Sequence, residues 1–135
     1  MRTAFISRAT SETQIELSLD IDGTGVLAGQ THIGFFDHML HALVKHAGFD
    51  VTLSCTGDLH IDDHHTVEDV GICLGRAFAE AMTDKTGIRR FGHAYVPLDE
   101  ALARAVVDIS GRSYLAFDAE FSRSSIVAFG TETTR

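Results

Sequence analysis

One proline, no tryptophan and two cysteines occur in the 135 residues. With Pro97 alone and no low-complexity stretch there is no linker, and the length fits a single domain, 1–135. Cys55 and Cys73 are too few for a disulfide framework and read as buried thiols of a reducing cytoplasm. No apolar run approaches a membrane span, and the amino terminus lacks the apolar core of a signal peptide. Both absences predict a cytoplasmic protein without a membrane partner. Basic residues are also scarce: 11 Lys and Arg stand against 19 Asp and Glu, a net charge of −8. With no basic cluster, this charge argues against nucleic acid and an anionic membrane surface as partners. An apolar fraction of 44% is that of an ordinary globular domain.

What is abundant is concentrated in Asp62-Asp63-His64-His65-Thr66-Val67-Glu68-Asp69. These eight positions hold two histidines and four carboxylates and lead into an apolar series, Val67, Val70, Leu74, Phe78 and Ala81. The spacing predicts a helix with one buried face, capped by Asp62 or Asp63 and running to about Thr83. If it begins near His64, Glu68 lies one turn on, at i+4 from His64 and i+3 from His65. Imidazole and carboxylate suit zinc, manganese, iron or nickel, and adjacent histidines pointing apart can serve two ions. The plain alternative is a solvated acidic cap. His-Glu-x-x-His proteases space the ligands differently, so a metalloprotease is not the natural reading.

The first 28 residues read as strands. Ile15, Leu17, Leu19 and Ile21 share one face, with polar residues between them. Asp22-Gly23-Thr24-Gly25 predicts a turn, after which Val26-Leu27-Ala28 returns as the second arm of a hairpin. Glu12, at the start of the alternating strand, is by itself an ordinary solvated carboxylate. Thr31-His32-Ile33 reads as a short strand before a helix capped by Asp37, with Leu40, Leu43, Val44 and Ala47 inward and Gly48 as its stop. His38 lies in the first turn of that helix, as His64 does in the next, so the two starts could meet at one site; His41 and His46 read as surface residues. Phe49 to Cys55 alternates as a strand. Later come strand material at 101–107, a turn at Ser110-Gly111-Arg112 and a returning strand from Tyr114 to Phe117. Arginines beside glycines could hold a small anion through paired hydrogen bonds, although a solvated arginine is the plainer reading.

Shifting the chain by about 88 residues lays Glu12 on Glu100, Asp20 on Asp108, Ile21 on Ile109 and Gly23 on Gly111. With a short insertion, Phe36 falls on Phe129. Such a duplication implies two similar halves, a complete 1–88 and a cut-short 89–135. A second His-His-x-x-Glu would fall beyond Arg135. The sheet of the second half would then keep an apolar face uncovered, which favours self-association.

These stretches resemble the imidazoleglycerol-phosphate dehydratase family of histidine biosynthesis. The resemblance rests on Arg8-Ala9-Thr10-Ser11-Glu12-Thr13, Gly34-Phe35-Phe36-Asp37-His38-Met39-Leu40 and Asp63 to Asp69. It continues through Gly87-Ile88-Arg89-Arg90-Phe91-Gly92 and Asp108-Ile109-Ser110-Gly111-Arg112, to about residue 132. It implies an α+β fold of duplicated half-domains, each a four-stranded sheet with two helices, similar to the second domain of ribosomal protein S5, the second half being incomplete here. It implies a metal-dependent hydro-lyase that removes water from D-erythro-imidazole-glycerol phosphate to give imidazole-acetol phosphate. Two manganese ions per complete site are expected, with His38, His64, His65 and Glu68 as this half's ligands. Glu12 would be the acid–base residue and touch substrate; Arg90 and Arg112 would contact the substrate phosphate.

The family's second ligand motif, a further histidine, and a phosphate-binding lysine and serine have no counterpart before Arg135. The resemblance therefore implies a carboxy-terminally truncated form with weakly bound or absent metal and little activity. In the family, trimers join into a shell of twenty-four subunits through the metals; a truncated chain would stop at the trimer. The competing readings are a non-catalytic fragment that still assembles, or a small metal-binding module of the same fold.

Overall fold

A computed structural model describes residues 1–134. Its elements are β1 (Thr3–Ala9), β2 (Thr13–Asp20), β3 (Val26–Gln30), α1 (Gly34–Ala47), β4 (Asp50–Gly57), α2 (His64–Ala81), β5 (Phe91–Leu98), β6 (Ala101–Asp108), β7 (Ser125–Ile126) and β8 (Phe129–Gly130). A 3-10 turn, Thr131–Thr134, follows. Two compact units result: Met1–Thr83 with the segment from Ala119 onward, and Asp84–Asp118.

The first unit is a four-stranded sheet, order β1-β2-β4-β3, with both helices on one face. Strand alternation fixes which face that is. Ile15, Leu17 and Leu19 of β2 and Val51, Leu53 and Cys55 of β4 are buried, while Gln14, Glu16 and Ser18 face out. Leu40 and Val44 of α1, with Val70, Cys73, Ala77 and Ala81 of α2, close the core over them. Both cysteines are free and buried. Burial pushes the Cys55 thiol up to about 11, as an inert core residue requires.

The sheet corrects the expected hairpin at 22–25. β3 pairs parallel with β4, not antiparallel with β2. Parallel neighbours need a crossover, and α1 supplies it between them. Asp50 fixes the entry by accepting the N–H groups of Thr24 (2.8 Å) and Val26 (3.0 Å). The more apolar β4 takes the interior place, and short β3 takes the edge. Residues 31–33 are not a strand: His32 has φ 69°, and β3 ends at Gln30.

Asp37 does not cap α1, whose N-cap is Ile33, whereas α2 starts at the expected Asp62-Asp63 pair. Asp37 lies inside the first turn of α1 and accepts the N–H (2.6 Å) and O–H (2.8 Å) of Thr31. The N-cap residue of α2 is Asp63, yet its carboxylate takes the Gly130 N–H at 3.0 Å. Asp62 accepts the first free helical N–H, that of His64, at 2.9 Å. Gly48 ends α1 in the left-handed region, as expected. Leu43 and Ala47 do not join the core; they lie on the exposed side of α1.

In the second unit β5 and β6 form an antiparallel hairpin turning at Asp99-Glu100, with Asp99 at φ 48°. β1–β2 pairs Thr3 with Asp20, and β5–β6 pairs Phe91 with Asp108. Adding 88 to the first pair gives the second, so the two hairpins share one register. Every residue of β5 and β6 is exposed, among them Tyr95, Val96, Leu98, Leu102 and Val106. The predicted strand at 114–117 does not form; that stretch is irregular. Phe36 and Phe129, the positions that the shifted repeat aligns, stack at 6.3 Å in the first unit, beside buried Ile33 and Val67.

Candidate metal centre and acid–base site

Glu12 sits in the three-residue loop between β1 and β2, and a network of hydroxyl groups shapes that loop. Thr10 Oγ1 accepts the N–H groups of Glu12 (3.1 Å) and Thr13 (2.9 Å). Ser11 donates its hydroxyl to a Glu12 carboxylate oxygen at 2.7 Å. That bond is the main reason the Glu12 carboxyl lies below the usual range, and the charge of nearby His65 adds to it. Glu12 is half-buried.

Thr13, one residue on, turns inward and is buried. Its hydroxyl donates to Asp69 at 2.5 Å. An ionised carboxylate only accepts, so the Thr10 hydroxyl, 3.2 Å from that of Thr13, must donate to it. Arg8 of β1 completes the network, with Nε and Nη2 at 2.9 and 2.7 Å from the same Asp69 oxygen. Burial pushes the Asp69 carboxyl up, but the bonds from Arg8 and Thr13 outweigh it and hold it down. Asp69 therefore ties the Glu12 loop to the first turns of α2 from beneath.

On the exposed side of those turns His64 Nε2 lies 3.2 Å from Glu68 Oε2, the i,i+4 contact expected from the spacing. The rings of His64 and His65 are 5.9 Å apart and nearly perpendicular, at 85°. Two rings so turned present their lone pairs in different directions. His65 Nδ1 lies 2.9 Å from Asp58 Oδ2 at the end of β4. That hydrogen bond raises the pKa of His65, with Glu12 and Asp62 adding to it.

His38 projects from the start of α1 and is exposed. With Phe35, Asp62, Asp63 and Phe129 it lines a cavity of about 540 Å³. Among the described residues no group of three or more His, Cys, Asp or Glu side chains converges tightly enough to hold a metal. The donors nevertheless suit a borderline transition metal: His64 and Glu68 face one direction, and His65 presents Nε2 in another.

The arginines lie in the second unit. Arg90 grips Asp108 with Nε (2.7 Å) and Nη2 (3.2 Å), and its guanidinium lies 4.9 Å over the Phe91 ring. Arg112 follows Gly111, whose φ is 82°, and its N–H donates to Ser110 Oγ at 3.2 Å. With Arg104, Asp108 and Tyr114 it lines an open groove of about 850 Å³. Asp58 had gone unmarked in the sequence, and Thr13 and Asp69 stood in the quoted stretches without a role. Asp69 carried a signal, since with Cys73 and Ala77 it falls on the buried stripe of α2, where a carboxylate needs a partner.

The sequence model of the family described as imidazoleglycerol-phosphate dehydratase matches residues 31–135. The imidazoleglycerol-phosphate dehydratase of Aminomonas aminovorus is 56% identical over all of this chain and 69% of its own. That of Gluconacetobacter diazotrophicus is 61% identical, over 97% of this chain and 66% of its own. The chain thus spans about two thirds of these relatives. Among solved structures, imidazoleglycerol-phosphate dehydratase from Staphylococcus aureus matches 97% of this chain and 71% of its own, with TM-score 0.85 and 37% identity. That from Pyrococcus furiosus, in complex with (S)-C348, matches with TM-score 0.78 and 33% identity.

Proposed function

The chain belongs to the imidazoleglycerol-phosphate dehydratase family, hydro-lyases of histidine biosynthesis, and from that premise we propose a role for each site residue. Glu12 is the acid–base residue in the dehydration of D-erythro-imidazole-glycerol phosphate to imidazole-acetol phosphate. His38, His64, His65 and Glu68 are this chain's share of the ligands to two manganese ions. Arg90 and Arg112 hold the substrate phosphate. The observation that carries this reading is the coupling of the Glu12 loop, through Thr13 and Asp69, to the helix turn bearing His64, His65 and Glu68.

The reaction removes a proton from the carbon bearing one hydroxyl and expels the hydroxyl beside the ring; the resulting enol becomes the ketone. The proton is scarcely acidic, because no carbonyl adjoins its carbon. Manganese would supply polarisation of the imidazole ring when bound. Glu12, held ionised by Ser11 and His65, can accept the proton and later return one. For Arg90 to take a phosphate, its bidentate hold on Asp108 must be exchanged or shared.

In a polypeptide of these 135 residues His-His-x-x-Glu occurs once. We assign it weak manganese binding, feeble turnover, a cytoplasmic location and self-association no larger than a trimer. A non-catalytic fragment that still assembles is the alternative, supported by the lack of a converged metal-holding group among the described residues. Paired measurements decide between them: manganese uptake by electron paramagnetic resonance, and turnover of substrate. Glu12→Gln should lower turnover about 100-fold or more with manganese uptake unchanged. His64→Ala combined with His65→Ala should abolish uptake. Glu12→Gln turning over like the parent would remove Glu12 from the mechanism.

A further inference from the structure

The two adjacent histidines are not held alike. His64 meets Glu68 across a surface turn, both side chains 58% exposed. His65 is anchored to a side chain from another element: Asp58, 16% exposed, at the end of β4. Asp58 is shielded, and its own backbone is braced by the turn in which its carbonyl accepts the Ile61 N–H at 2.8 Å. The other carboxylate oxygen, Oδ1, is buried with no hydrogen-bond partner. A buried, half-satisfied carboxylate is costly, and a simple surface tie would not require one.

We propose that Asp58 is a positioning residue for His65, fixing its ring orientation and the Nδ1–H tautomer so that Nε2 presents its lone pair to a metal ion. The inference rests on the reading of His65 as a ligand. An ionised carboxylate can only accept, so the proton in the Asp58–His65 bond belongs to Nδ1. Nε2 is then unprotonated in the neutral ring, on a side chain that is 43% exposed. A carboxylate behind a metal-binding histidine sets its direction and raises its basicity, and losing such a partner typically costs 10–100-fold in metal affinity. His64 lacks a comparable brace, so the two histidines should respond differently to loss of Asp58.

The test uses the full chain, with Asp58→Leu and Asp58→Asn, and three readouts. Nitrogen-15 spectra without metal, at a pH where the rings are neutral, should show His65 as the Nδ1–H form in the parent. The spectra should show a shift toward Nε2–H in Asp58→Leu, with His64 unchanged. Asp58→Asn, whose amide oxygen can still accept, should keep the parent tautomer. Affinity for manganese alone should fall about tenfold in Asp58→Leu and far less in Asp58→Asn. The melting temperature of Asp58→Leu should be unchanged or higher, because the orphaned oxygen is gone.

An unchanged His65 tautomer in Asp58→Leu would overturn the proposal. So would a loss of melting temperature with manganese affinity intact, since that marks a merely structural tie. Should Asp58→Leu fail to fold, Asp58→Ala, which likewise removes the acceptor, is read by the same tautomer and affinity measurements, and an unchanged Nδ1–H form there refutes the role. If the parent takes up no manganese, the ligand assignment fails instead, and the tautomer measurement alone judges Asp58.

Discussion

Single carboxylates do most of the positioning in this chain, each by accepting from a donor that another element supplies. Asp37 holds Thr31, Asp63 holds Gly130, Asp69 holds Arg8 and Thr13, and Asp50 holds Thr24 and Val26. The sequence marked Asp37, and Asp62 or Asp63, as helix caps, because capping is a local property and local properties are legible. The actual donors to Asp37 and Asp63 lie 6 and 67 residues away. A donor outside the residue's own helical turn leaves no periodic pattern, which is also why Asp58 was invisible beside His65. Asp50 offers a measurable consequence. The N–H groups of Thr24 and Val26 hold its carboxyl below the usual range. A depressed carboxyl contributes stability that is present above its unfolded pKa, about 4, and is lost as pH falls through the folded value. Asp50→Asn should therefore melt lower than the parent at neutral pH, and the gap should narrow on acidification. Thermal melts between neutral and strongly acidic pH check this, and a gap that widens in acid would contradict it.

Among the elements, alternation in β2 and the three-and-four spacing of α2 were strong enough to read, and the structure buries those faces. Pairing was harder. A turn of glycines and an aspartate suggested a hairpin, yet the helix between 26–30 and 50–57 supplies the crossover that a parallel pair needs. β5 was missed because Phe91-Gly92-His93-Ala94 has no clear alternation; its pairing with β6 supplies what its sequence does not. The β3–β4 contact gives a sharp test through Gly29. Its φ is 105°, and an added Cβ would fall 1.8 Å from the Leu53 carbonyl oxygen. Gly29→Ala should cost about 2 kcal/mol or more, since neither backbone can yield without breaking the pairing. In α2, Gly71 and Gly75 have nothing within 4 Å of an added Cβ. Alanine at either should stabilise the helix by up to about 1 kcal/mol. Denaturant titration of the three variants reads both signs, and a neutral Gly29→Ala would contradict the parallel pairing.

At the scale of the molecule, the two stretches related by shifting the sequence form two hairpins in one register, the first of them in a sheet that carries both helices on one face. The apolar residues Tyr95, Val96, Leu98, Leu102 and Val106 of β5 and β6 are exposed. Among the described residues no helix is long and apolar enough to cross a membrane. The family motifs were legible because they are dense, specific and local. The account holds that His38, His64, His65 and Glu68 are only part of each metal site. The mass of the particle by light scattering, with and without manganese, tests that most directly. A trimer or smaller whose mass manganese does not change is the predicted result. Growth on adding manganese to a shell many times that mass would show that this chain's ligands suffice to join trimers, and would contradict the account.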